Sequence, residues 1–361
     1  MNSFIICDTY YQVIFAVNLM YSLKKNDKVT LLITDQSNKS YDTYKRILEA
    51  KIFDKVFFAR TKKKKNKLGN VILRIKEFIC ATTGIPVQRN LSYKNYDEFI
   101  CCGPSLFAHA IYARLLKNNK LLKNNFFEEG VLSYKKDIEK SRRLKVLYKI
   151  RAFFKKKNLI DSAESFYCFY PQVYYGGLKC IKVPLVAPNS IVSDAIKTIF
   201  NISAQNNYKE KYIFFTSVYD FEGGDPIGEL QVVKMIKELV GQDNLLVKKH
   251  PRDTRSVFEE NNINVATNSS IPWEAIQLSQ DFSDKVLLTA TSGSVIGGNL
   301  FCSKPAKVFY VYPLCHFDNN KAALGTKNRI EEVFENNEMK KVLGFASVCS
   351  NLEEITHGYK G

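Results

Sequence analysis

Short apolar runs rich in β-branched and aromatic residues alternate with longer stretches of helical period along most of this chain, and that alternation admits few folds. A strand followed by a helix, repeated many times, builds a parallel sheet covered on both faces. Residues 3–7, 28–34, 55–59, 97–102 and the run ending at Phe127 read as strands; residues 13–23, 41–50, 71–81 and 105–117 read as helices, with Asp8 or Thr9 placed to cap the first. A doubly wound sheet over about residues 1–130 follows. Residues 132–181 are more basic and aromatic and do not keep the rhythm. Two prolines within residues 183–190 favour an extended linker, after which strands at 212–216, 245–248, 263–266, 285–290 and 307–312 resume the series. Helices at 227–240 and from Pro272 separate some of these strands.

A chain of 361 residues is long enough for two such domains. The boundaries drawn are 1–185 and 186–361, the first carrying a basic helical insert at about 135–160. No apolar run approaches the roughly 18 to 20 residues that cross a bilayer, and the N-terminus lacks a basic leader and cleavage site, so a cytoplasmic protein is expected. The nine cysteines are scattered, several within apolar strands, and read as buried thiols. A formal charge of +17 points to an anionic partner. Residues 141–157 hold eight Lys or Arg around an apolar stripe of Val146, Leu147, Ile150, Phe153 and Phe154, and residues 62–65 are a lysine run. Such a basic amphipathic helix would lie on an anionic membrane face, or serve only as a solvated cover to the core. Nucleic acid is disfavoured, because no zinc finger, helix-turn-helix or RNA-recognition signature is present.

Chemistry concentrates where strands end. Asn125-Phe126-Phe127 runs into Glu128, Glu129 and Gly130, and Leu245-Leu246-Val247 runs into Lys248, Lys249, His250 and Pro251. A carboxylate base and a histidine acid thus stand 122 residues apart, each at the carboxyl tip of a strand, as two sheets facing one cleft would require. Side chains alternate along a strand, so one of Glu128 and Glu129 can face the cleft while the other is engaged elsewhere. The two phenylalanines predict partial burial, which raises a carboxyl pKa towards that of a useful base. Thr291, Ser292 and Ser294 around Gly293, at the mouth of a helix, form a phosphate cradle or else its cap. No Walker A loop, no glycine-rich dinucleotide fingerprint, no Asp-x-Asp pair and no His/Cys cluster occurs, so ATPase, NAD-dehydrogenase and obligatory metal chemistry lose their support.

Taken in order, Glu128-Glu129-Gly130, His250-Pro251, Pro272-Trp273-Glu274 and Thr291-Ser292 resemble the motifs of bacterial sialyltransferases. The opening Ile5-Ile6-Cys7-Asp8-Thr9-Tyr10-Tyr11-Gln12 is similar to the N-terminus of glycosyltransferase family 52, which includes lipooligosaccharide and capsule enzymes. The resemblance covers about residues 4–315. It implies a GT-B fold of two Rossmann-like doubly wound parallel-sheet domains about a central cleft, and an inverting transfer from CMP-sialic acid that needs no metal or other cofactor. On that basis Glu128 is expected to be the general base and His250 the general acid, or a charge stabiliser, at the CMP phosphate. Lys248, Pro251, Glu274, Thr291, Ser292 and Ser294 are expected on the donor, with Glu274 at the ribose. Asp8, Thr9, Tyr11, Gln12 and Glu129 are expected on the acceptor side. The acceptor implied is an oligosaccharide ending in a sugar such as galactose, carried on a lipid at the inner membrane face in one reading. Two departures stand out: Thr-Ser-Gly-Ser leaves open which two hydroxyls are equivalent to the family pair, and Glu replaces Asp at the first acidic position.

Two other readings remain at this stage. One is a GT-B transferase using a different nucleotide sugar; the other is a polyanion- or membrane-binding protein without catalysis, in which the basic helix is the working part. Nothing in the sequence specifies the oligomeric state.

Overall fold

Asn2–Cys7 (β1) is apolar on both faces, and such a strand is stable only inside a sheet covered on both sides. In a computed structural model that describes residues 1–37, 40–61, 67–93, 95–134, 141–203, 208–217, 225, 227–250, 253–267, 271–317 and 320–357, this is where it lies. The chain divides into two units, Met1–Pro184 with Thr198–Phe200, and Leu185–Lys197 with Asn201–Gly361.

The first unit runs β1, α1 (Tyr10–Ser22), β2 (Lys28–Thr34), α2 (Ser40–Ala50), β3 (Lys55–Ala59), α3 (Lys67–Thr83), β4 (Glu98–Cys101), α4 (Leu106–Asn118), β5 (Lys123–Phe127), α5 (Arg142–Phe153), β6 (Ala163–Cys168) and β7 (Lys179–Lys182). Among the described residues these strands form one parallel sheet in the order β3-β2-β1-β4-β5-β6-β7. The order reverses between β1 and β4, which opens a crevice at their carboxyl ends. One buried carboxylate ties the strands together below the site: Glu98 accepts from Ser3 of β1, Asn125 of β5, Tyr167 of β6 and the Lys24 ammonium at 2.6–2.8 Å.

Residues 132–181 carry one further βα unit, α5 leading to β6, which the sequence expectation did not contain; β6 and β7 are then joined through a short 3-10 turn at Pro171–Val173 and no α-helix, so the rhythm does break there as expected. The missed strands have physical reasons for looking unlike the others. β6 begins with an exposed, polar half, and β7 is an edge strand with lysine at each end, a pattern that guards an open edge. The expected apolar stripe of α5 is also corrected. Its buried face is Leu144, Leu147, Tyr148 and Arg151, whereas Val146, Phe153 and Phe154 point outwards. The Arg151 guanidinium decides the rotation, since it is buried and donates to the carbonyls of Ala81 and Lys157. The lysine run at 62–65 and residues 135–140 of the basic insert lie outside the described residues.

The second unit holds α6 (Ile191–Phe200, whose last three residues belong to the first unit), β8 (Tyr212–Phe215), α7 (Glu229–Val240), β9 (Leu245–Lys248), α8 (Val257–Glu260), α9 (Trp273–Ser279), β10 (Val286–Thr289), α10 (Ser294–Phe301), β11 (Lys307–Tyr310), α11 (Lys321–Glu335), α12 (Asn337–Val342), β12 (Ala346–Val348) and α13 (Glu353–His357). Its described strands are all parallel, in the order β12-β11-β10-β8-β9, over a core of Phe214, Val233, Ile236, Val247, Phe258, Leu288 and Phe309. The strand expected at 263–266 is reduced to one bridge, Val265 against Val247. Two parallel-sheet α/β units in succession make the fold GT-B type. No helix among the described residues is long and apolar enough to cross a membrane.

Candidate functional site

In the first unit the residues after β1, β4 and β5 converge at the switch point. Thr9 caps α1, accepting from the Gln12 amide, and its hydroxyl donates to Glu129 Oε1 at 2.8 Å. Gln12 Nε2 donates to the same oxygen at 2.8 Å, while the Cys102 thiol approaches Oε2 at 3.2 Å. Asp8 lies beside them, accepting from Thr34; burial pushes its carboxyl up, the Thr34 bond opposes this and the Glu129 charge adds to it. Gly130 follows with φ +82°, a left-handed turn that a side chain would strain, so the chain folds back directly after the two acids.

Strand alternation separates those acids. Glu129 is exposed; Glu128 is fully buried. Glu128 accepts from Tyr11 Oη at 2.8 Å, from the Phe169 amide at 3.0 Å and from the Tyr134 hydroxyl. Glu128, expected as the base, thus lies in the core with one donor on Oε1 and two on Oε2, whereas Glu129 reaches solvent. The Tyr11 hydroxyl serves Glu128 within the core. Asp8, Thr9, Gln12 and Glu129 are brought together.

Burial raises the Glu128 carboxyl to about 7, against the opposing effect of its three donors. A carboxyl whose folded pKa lies above its unfolded value near 4.5 stabilises the fold in its protonated form, and that stability is lost as pH rises through 7. Wild type should therefore lose roughly 3 kcal/mol from this group between about pH 4.5 and pH 8. In Glu128→Gln that part of the slope should vanish, as read by urea unfolding followed by circular dichroism across the range; an unchanged slope contradicts the assignment.

In the second unit the carboxyl ends of β8, β9 and β10 carry the polar groups. Lys248 ends β9 in a buried position; burial pulls its ammonium down to about 8, with the Glu274 carboxylate acting in the opposite direction. Glu274 stands in the first turn of α9, and a Cβ on Gly297 of α10 would come within 3.0 Å of its Oε1, so the glycine makes room for the carboxylate. Partly exposed His250 donates its backbone N–H to Thr216 Oγ1 at 3.0 Å, and Thr216 donates to Asp253 at 2.7 Å. Pro251 lies outside the described residues. Of the three hydroxyls around Gly293, Thr291 is buried and bonded to Ser217 at 2.9 Å. Ser292 and Ser294 are paired with each other at 2.8 Å, partly exposed, at the N-terminus of α10. Helix N-termini carry unpaired N–H groups and a partial positive charge, which suits a phosphate.

Sequence reasoning missed the group that holds His250 in place. Arg255 binds Asp253 at 2.7 and 2.9 Å, Glu229 at 3.2 Å and the Ser217 carbonyl at 3.3 Å, and Glu229 Oε1 accepts from the Ser217 amide. Two signals were legible. Thr216-Ser217 closes an apolar strand in the same way as Thr291-Ser292, and Asp253-x-Arg255 follows His250-Pro251 within a few residues. His109, read as structural, is buried in α4, and burial pulls its imidazole down to about 3.

All of these residues fall within the part of the chain, residues 3–311, that matches the family model described as alpha-2,8-polysialyltransferase (POLYST). Curated protein sequences give no match. Among solved structures, the chain is similar to the UDP-GlcNAc 2-epimerase from Methanocaldococcus jannaschii, at 12% identity over 99% of this chain and 91% of that one, with a TM-score of 0.49. It is also similar to an alpha/beta-galactoside alpha-2,3-sialyltransferase from the luminous marine bacterium Photobacterium phosphoreum, at 10% identity over 98% of both chains and a TM-score of 0.47. MurG from Acinetobacter baumannii matches at 9% identity over 96% of this chain and 85% of that one, with a TM-score of 0.42.

Proposed function

Because the chain belongs to the alpha-2,8-polysialyltransferase family, we propose that it moves sialic acid from CMP-sialic acid to the terminal sugar of a capsular or lipooligosaccharide glycan, inverting the anomeric carbon and using no metal. The family match over residues 3–311 carries this reading. An α-2,8 bond forms at the side chain of another sialic acid, so the acceptor proposed is a glycan ending in that sugar; a +17 chain suits such an anionic acceptor.

The reaction is one displacement. An acceptor hydroxyl attacks the anomeric carbon of the donor sugar, the bond from that carbon to the phosphate oxygen breaks, and CMP leaves with the electron pair. Glu129 takes the hydroxyl proton: its carboxylate is exposed and held by Thr9 and Gln12. Glu128, buried behind it, positions the strand tip. In the second unit Ser292, Ser294 and the N-terminus of α10 meet the charge that builds on the phosphate, and His250 donates to it or stabilises it. Glu274, kept beside Lys248, receives the ribose hydroxyls.

The first test compares CMP, UDP and GDP by thermal shift and calorimetry in EDTA. Selective stabilisation by CMP is the expected result, and transfer from CMP-sialic acid to oligosialic acid should then exceed transfer to a galactose-ended oligosaccharide, the acceptor that the sequence alone led one to expect. Preference for UDP or GDP would replace the donor, and loss of binding in EDTA would overturn the metal-free reading.

A further inference from the structure

We propose that the outer faces of α3 and α5 form one surface that docks the protein on an anionic lipid bilayer, with the aliphatic stripe of α3 entering the acyl boundary and flanking cations meeting the headgroups. The stripe is Leu68, Val71, Ile72, Ile75 and Ile79, which recur at the spacing of one helical face and are all exposed, Leu68 at 69% and Ile72 at 59%. Single exposed aliphatics are ordinary on a soluble surface. Five along one helix mark a face that is covered in use.

The two helices meet. Arg151 and Lys156, in α5 and just beyond it, donate to the carbonyls of Ala81 and Thr82 in α3, and a groove of about 540 Å³ is lined by Val71, Arg74, Ile75 and Phe78 of α3 together with Leu106 and Arg143. α5 adds exposed Val146 and Phe153, the latter 82% exposed, and Phe154 follows at its end. The charge around this apolar surface is of one sign. α3 and α5 contain a single acidic residue, Glu77, and it is buried, whereas Lys76, Arg142, Arg143, Lys145 and Lys149 are exposed, with Lys155, Lys156 and Lys157 beyond the helix end.

That combination chooses the occupant. A second copy of the chain would set this basic face against another of the same sign, which is repulsive. An anionic bilayer offers an apolar interior and negative headgroups together. At 17 residues α3 is about 25 Å long, and no described helix is long and apolar enough to cross a membrane, so the surface lies on the bilayer and does not span it. The sequence pointed to α5 for its lysines; the structure adds α3 as the inserting element.

The test is co-flotation of the full chain with vesicles of phosphatidylcholine alone or mixed with phosphatidylserine. Retention is expected on the mixed vesicles, weakened by salt. The double variant Ile72→Ser/Ile75→Ser should lower the partition coefficient by about tenfold or more, with an unchanged melting temperature, since both side chains are exposed in the isolated chain. Retention of the double variant at the wild-type level would overturn insertion by α3. Absence of wild-type retention would overturn the surface altogether, as would a dimer in sedimentation velocity that the same substitutions dissociate. None of these readouts depends on which sugar is transferred.

Discussion

Glu129→Gln is expected to lower turnover by a factor of about 10² to 10⁴, the usual loss when a general base is removed, with CMP binding staying at the wild-type level. The substitution is nearly isosteric and keeps an oxygen for the Thr9 hydroxyl, so the strand tip should hold its shape. What it removes is the ability to accept a proton at the one member of the Glu128-Glu129 pair that solvent, and therefore an acceptor hydroxyl, can reach. Glu128→Gln should behave differently. The neutral carboxyl that the fold favours carries a single O–H among Tyr11, Tyr134 and the Phe169 N–H, whereas an amide brings two N–H groups into a site already supplied with three donors. The expected phenotype is a lower melting temperature and a smaller loss of turnover. Single-turnover transfer from CMP-sialic acid, with calorimetry of CMP on each variant, separates the two. Should Glu128→Gln take the larger catalytic loss with an unchanged melting temperature, the base is Glu128, and its side chain must leave the core when acceptor binds.

The same pair shows how far the sequence could be read. That a carboxylate stands at the tip of β5 follows from an apolar run that stops at two acids, and that only one of them faces outwards follows from alternation. Which one does depends on Tyr134, in the turn that follows Gly130, and on Phe169, just beyond β6, and β6 was the strand whose polar first half hid it. The hydroxyls around Gly293 follow the same pattern: their position before α10 was legible, but the burial of Thr291 comes from Ser217, 74 residues earlier in the chain. For α5 the limit was of another kind. An arginine was counted with the solvent face on charge alone, although carbonyls of Ala81 and Lys157 satisfy its guanidinium in the interior. The family motifs, in contrast, were local enough to be found, and the resemblance to bacterial sialyltransferases is borne out by the match over residues 3–311.

Arg255→Met is expected to destabilise the second unit by about 3 to 5 kcal/mol, because it leaves two buried carboxylates without their cation. Asp253 and Glu229 differ in how they would respond. Burial pushes the Asp253 carboxyl up, yet bonds from Arg255 and Thr216 bring it below its ordinary value, so this residue depends on the arginine to stay charged. Burial raises Glu229 to about 7 even with Arg255 acting against it. Its folded pKa lies above the unfolded value, so its contribution to stability is complete below about 4.5 and is lost as pH rises through 7; without the arginine that loss extends to higher pH. The deficit of Arg255→Met should therefore be larger at pH 8 than at pH 6, and Glu229→Gln added to it should recover part of the difference at pH 8. Trp273, the single tryptophan, is buried in α9 of this unit and reports its unfolding in urea directly. A deficit below about 1 kcal/mol would mean that the cluster is as weak as a surface pair. The chain from Arg255 through Asp253 and Thr216 ends on the backbone of His250. The surviving folded fraction of the variant should therefore bind CMP less tightly, and Thr216→Val, which breaks that chain without removing a charge, should weaken CMP binding with a much smaller loss of stability.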